Sequence, residues 1–259
     1  MKEDSATNNP SSDDTDRGGA LSPAAAGPSV EERRSGERRS LEEDRIAAAL
    51  RGFGLVGIVA MLIILFGNVL FVPLSGILIL IWAWISKTPW RDLGLAWPRS
   101  WVSAVAFGCV FGVAFKLAMK SIVMPLLGAP PVNQAFHFFA HNRGAIPWML
   151  YVIVSAGVGE ELVFRGWAFE RLGKLIGTAP WAKAVTVLFT SAWFGYEHWA
   201  FQGLAGVQQA ATVGLIFGTI FAIWRPLFFL MVAHTAFDLA AAALIYWDWE
   251  TTVAHFFFK

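Results

Sequence analysis

From Gly52 onward the chain is written in long apolar runs parted by short polar breaks, at roughly 53–71, 74–86, 101–127, 146–173, 181–199, 208–224 and 227–246. A helix needs about 20 apolar residues to cross a bilayer. The pattern predicts an all-α polytopic membrane protein, a bundle of about seven transmembrane helices with six or eight as the margins. The run 74–86 is short, so it is expected to be tilted, half-buried or continuous with its predecessor through Pro73.

Ahead of these runs the pattern is different. Residues 1–40 are rich in Ser, Asp, Gly, Pro and Ala, with too few apolar side chains to bury a core, and are expected to be disordered. The leader is too hydrophilic for a secretory signal. The charged run from Glu31 to Gly52 reads as a solvated juxtamembrane face, helical towards its end. The expected division is an N-terminal segment over 1–45 and a membrane domain over 46–259.

Basic residues give the expected orientation. Arg33, Arg34, Arg38, Arg39, Arg45 and Arg51 precede the first span; Lys87, Arg91 and Arg99 follow the second; Arg171, Lys174 and Lys183 join the fourth to the fifth; Arg225 joins the sixth to the seventh. In a seven-span arrangement all fall on one side, which predicts a cytoplasmic N-terminus. A prokaryotic plasma membrane is the expected location.

Composition sharpens this picture. The chain has 259 residues, of which 56% are hydrophobic and 15% charged, against about 25% charged in soluble proteins. Beyond residue 50 the only acids are Asp92, Glu160, Glu161, Glu170, Glu197, Asp238, Asp248 and Glu250. Glu160, Glu161, Glu197 and Asp238 lie inside apolar runs, where a charge at mid-membrane costs roughly 2.5–3.5 kcal/mol. The net charge of +1 gives no sign of a nucleic-acid partner. The single cysteine, Cys109, excludes a disulfide framework within the chain and is expected to be a small buried hydrophobe.

Three polar clusters sit on three apolar helices. Glu161 and Arg165 are spaced i,i+4, one above the other, so an ion pair is expected and Glu160, about 100° away, is left for other work. The fifth run ends in "FGYEH", with Glu197 and His198; the seventh carries His234 and Asp238, again at i,i+4. Polar side chains in lipid must face inward and find partners, so the three clusters should converge. Helix rise makes one difficulty: Glu160 and His198 lie ~21 and ~25 Å above their cytoplasmic ends but His234 only ~11 Å. Either the 224–226 turn is drawn inward or the site is shallow. Lys116 and Lys120 are expected to snorkel or pair structurally.

At these residues the chain resembles the CAAX prenyl endopeptidase and bacteriocin-processing membrane proteins, the CPBP or Abi family. Its motifs EExxxR, FxxxH and HxxxD/N read here as Glu160–Arg165, Phe194–His198 and His234–Asp238, with "DLGL" at Asp92–Leu95, and the likeness covers about 90–246. The resemblance implies a helical intramembrane endopeptidase of glutamate type. Glu160 would activate a water, His198 would help position it, and His234 and Asp238 would line the oxyanion side. Glu161 and Arg165 would support them as an ion pair. Where some relatives carry Asn, this chain has Asp238, which would either orient His234 or act protonated.

No Ser–His or Cys–His pair stands at useful positions. No resident metal or other cofactor is expected; zinc on Glu160, His198 and His234 is the alternative, though the HEXXH signature is absent. His137 and His141 have ligand-like spacing but fall in the expected outer loop, where an interfacial role is favoured. The expected partners are the bilayer and a peptide or protein substrate, with or without a lipid. Two other classes remain open: a non-catalytic immunity or scaffold protein of the same fold, and a proton-coupled transporter.

Overall fold

A computed structural model of the chain describes residues 30–70 and 72–258. The expected disordered segment lies outside the described residues as far as position 29; from Val30 the backbone is helical. Residues 1–43 and 44–259 are separate compact units. The described part of the first is an exposed, charged helix with an Arg39–Glu43 ion pair at 3.3 Å.

Eleven α-helices follow in order: α1 (Val30–Arg51), α2 (Leu55–Leu70), α3 (Val72–Ile85), α4 (Trp101–Ala118), α5 (Met124–Leu126), α6 (Ile146–Glu161), α7 (Ala168–Ile176), α8 (Pro180–Glu197), α9 (Trp199–Trp224), α10 (Leu227–Tyr246) and α11 (Glu250–Ala254). There is no strand among the described residues. Two π-helical turns, Met119–Val123 and Leu162–Trp167, join α4 to α5 and α6 to α7 without a break.

Among the described residues, four helical stretches are long and apolar enough to cross a membrane: Trp101–Leu126, Arg143–Ile176, Trp199–Trp224 and Leu227–Tyr246. The bent pair Arg33–Arg51 plus Leu55–Asn68 could make a fifth. The expected short run is the apolar helix Pro73–Ile85, which folds back on α2. The expected fifth span is α8, interrupted by Lys183, Thr186, Thr190, Ser191 and Glu197. The expected sixth run starts earlier than its apolar stretch, because α9 begins at Trp199 and passes through a kink at Gly203 (φ 62°, ψ −156°).

Glycines let the central helices approach closely, as small residues do where lipid supplies no hydrophobic drive between helices. A Cβ on Gly112 of α4 would sit 2.1 Å from the Ala233 carbonyl oxygen of α10. On Gly157 of α6 it would sit 2.2 Å from Thr235 Oγ1, also on α10. Phe164, Phe194, Phe217 and Phe237 fill the core between these helices.

Basic connections meet at one end of the membrane unit. Arg51 donates to the Ser86 carbonyl, Arg171 to the Arg51 carbonyl and Arg225 to the Asp92 carbonyl. At the other end Lys120 pairs with Glu250 at 2.6 Å, and Glu250 also accepts from the Asn133 amide. Lys120 is therefore structurally paired, as expected. Cys109 is exposed on α4 rather than buried. His137 and His141 are exposed in the loop before α6.

Candidate active site

Four helices bring the polar clusters together. Glu160 and Glu161 end α6, His198 follows α8, and His234 and Asp238 lie on α10, with α9 closing the side. The depth difficulty resolves because α7 runs past the turn at Arg225. A Cβ on Gly166 would lie 3.5 Å from Leu227 Cδ2, so the start of α10 is level with Gly166, ten residues above the end of α7. From that level His234 reaches Glu161 directly. The close approach at Gly157, one turn before Glu161, and Thr235, next to His234, is what permits it.

Glu161 is the hub. Its Oε1 accepts from Arg165 Nη1 at 2.8 Å and from His234 Nδ1 at 2.7 Å. The ion pair with Arg165 is thus present, and both partners are fully buried. The π-turn that begins at Leu162 does not disturb the pairing, since four residues on lie on nearly the same face in α or π geometry. The second bond was not anticipated: Glu161 fixes the ring of His234. A carboxylate can only accept, so Nδ1 carries the proton and Nε2 faces the remaining groups. Glu160 Oε2 is 3.7 Å from that Nε2 and Asp238 Oδ2 is 3.6 Å from it. Both distances exceed a hydrogen bond. His234 is therefore oriented by Glu161, not by Asp238.

His198 Nδ1 lies 2.8 Å from the Phe194 carbonyl oxygen, again an acceptor only, so Nδ1 donates and Nε2 is free for the cavity. Phe194 does more than mark the second motif. Its ring lies beneath the Arg165 guanidinium at 4.7 Å and edge-on to His198 at 4.8 Å and His234 at 6.1 Å. It is the apolar wall shared by all three clusters. Phe217 of α9 repeats this from the opposite side, 5.7 Å from Arg165 and 5.9 Å from His234.

Glu160, His198, His234 and Asp238 all line one cavity of about 170 Å³. Its remaining polar lining is Lys116, Asn133, Gln202 and Gln209, of which the last three escaped sequence reasoning. The signal was present: Gln202 and Gln209 are amide side chains set in a largely apolar stretch. Lys116 does not snorkel; it is buried with Nζ donating to Gln209 Oε1 at 2.8 Å. Among the described residues no three His, Cys, Asp or Glu side chains form a group that could hold a metal ion. Glu197 points elsewhere, bonded to Asn68 and Trp193 at 2.7 Å each.

Such an arrangement can hold a water against a carboxylate, with two oriented imidazoles across a small cavity. No curated protein and no solved structure matches the chain. The family model described as Type II CAAX prenyl endopeptidase Rce1-like matches residues 142–240, a narrower stretch than the likeness read from the sequence but one that holds all three motifs. Over the stretch that builds the site, the chain resembles the Rce1-like type II CAAX prenyl endopeptidases, the family to which its motifs point.

Proposed function

We propose that this membrane protein is an intramembrane endopeptidase that hydrolyses a peptide bond of a prenylated protein with water activated by Glu160. The observation that carries the reading is the convergence of Glu160, His198 and His234 on one cavity. Glu160 takes a proton from water as the oxygen attacks the scissile carbonyl. His198, with Nδ1 committed to Phe194, uses Nε2 to orient that water. The oxyanion forms beside His234, whose Nε2 in the imidazolium form donates to it. Asp238, protonated, adds a second donor, the service an Asn gives in relatives of this kind. Glu160 then passes its proton to the leaving amine and the bond breaks. General acid–base catalysis and oxyanion stabilisation are each worth a factor of about 10² or more.

No metal takes part in this reading. The N-terminus lies on the cytoplasmic side, with the end where Arg51, Arg171 and Arg225 gather, and the membrane is the plasma membrane. The test is cleavage of a farnesylated peptide ending in a CAAX sequence by purified protein, with Glu160→Gln alongside and a chelator in a parallel reaction. Cleavage by wild type, insensitive to chelator and abolished in the variant, is expected. Equal turnover by the variant removes Glu160 as base, and loss on chelation brings back a metal.

A further inference from the structure

Hydrolysis as described leaves Lys116 unused. The residue is 5% exposed, in the last turn of the apolar helix α4. Its Nζ donates to the neutral amide of Gln209 and lies 4.8 Å from the Phe237 ring. No described carboxylate is within ion-pair distance of it, whereas Lys120, one turn on, is neutralised by Glu250 at 2.6 Å. Asp238, which lines the same cavity, and Glu250 attract it from beyond ion-pair distance, and neither contacts it.

An ammonium has three donors, and a buried charge without a partner of opposite sign is costly. Gln209 occupies one donor only. Lys116 also stands where two spaces meet. It lines the catalytic cavity and a neighbouring chamber of about 370 Å³. Asn133, Gln202 and Gln209 share that border, and the chamber beyond is walled by Val132, Phe201, Leu204 and Leu244. An extended chain lying along both spaces would run past Lys116, Asn133, Gln202 and Gln209.

We propose that Lys116, held by Gln209, is a binding site for a carboxylate of the substrate, which fixes how the peptide lies across the two chambers. The inference rests on the hydrolytic reading above. A carboxylate can come from the free C-terminus of the substrate or from an acidic side chain near the scissile bond.

The experiment separates these sources. Wild type, Lys116→Met and Lys116→Arg are given farnesylated CAAX peptides as C-terminal acid and carboxamide, each with Asp or Asn beside the scissile bond. Wild type is expected to favour one carboxylate over its neutral counterpart at least tenfold in kcat/KM, carried mainly by KM. That ratio falls towards one in Lys116→Met and is partly kept in Lys116→Arg. A preference for acid over amide identifies the terminus, and for Asp over Asn the side chain. Equal handling of all four peptides by wild type overturns the proposal even if neither variant folds, as does a preference that survives in Lys116→Met. A binding arm with Glu160→Gln and the same peptides, read by fluorescence anisotropy, keeps the two readings apart. Carboxylate-selective binding without cleavage by wild type sinks the peptidase and leaves the anion site. Cleavage without selectivity does the reverse.

Discussion

Arg165 and Arg171 sit six residues apart on one helical stretch, both buried and both beside a glutamate, yet their surroundings are opposite in kind. Arg171 engages all three of its nitrogens. Nε and Nη2 grip the two oxygens of Glu170, and Nη1 donates to the Arg51 carbonyl at 2.9 Å. Trp82 lies 4.6 Å from its guanidinium, and Lys174 adds a second cation to Glu170. Arg165 makes a single hydrogen bond, to Glu161, and its Nη2 is buried without a partner. So is Glu161 Oε2, while Oε1 is shared with His234. Two buried ion pairs of the same chemistry thus serve different ends. The closed one locks a helix end. The open one leaves Arg165 Nη2 and Glu161 Oε2 uncommitted, behind the residues that line the cavity.

That contrast can be broken or sharpened by substitution, the strongest effects coming from the open side. Glu160→Gln and His198→Ala should each lower turnover by about 10²–10⁴-fold, with the unfolding midpoint in detergent unchanged for Glu160→Gln, since among the described residues Glu160 makes no hydrogen bond and lies 3.7 Å from His234 Nε2. A midpoint that drops with activity would assign Glu160 to packing instead. Gly157→Ala forces a Cβ to within 2.2 Å of Thr235 Oγ1. It should part α6 from α10, separate His234 from Glu161, and cost more than tenfold in activity; cross-linking between the two helices would register the shift.

Glu161→Gln and Glu170→Gln provide the direct comparison. Each strips one partner from a buried pair, and each should cost about 3–5 kcal/mol of stability in denaturation assays. Only the first should lower activity per folded molecule. If Glu170→Gln is equally harmful to turnover, the two pairs do not differ in the way described. The smallest effect is expected from Asp238→Asn, which keeps a donor and should stay within a few-fold of wild type, whereas Asp238→Ala should fall further in the same peptide assay.

Much of this site could be read in the sequence because charge in an apolar run is so costly. Glu160, Glu161, Arg165, His198, His234 and Asp238 announced themselves by that cost, and the i,i+4 spacing of Glu161 and Arg165 gave their pairing. Other features were silent. The bond from His234 to Glu161 joins residues 73 positions apart, which no local spacing encodes. Phe217 is one among 22 phenylalanines, so nothing set it aside as a wall of the site, and the motif that marked Phe194 did not show its ring contacts. The span boundaries blurred for a related reason. Apolar content cannot separate α8, which mixes threonines and serines into its buried face, from a surface helix, nor show that α9 continues through Gln202 and Gln209 to Trp199.

The π-turn at Leu162–Trp167 has one last consequence. It sets the phase between the glutamates above it and the amphipathic α7 below. Deleting any one residue there would twist the lower half by about 100° against the upper, swinging Glu170 and Arg171 out of their niche while the motif above stayed intact. Length changes should therefore be barred across these six positions and tolerated a few residues later, in the exposed link from Gly177 to Ala179.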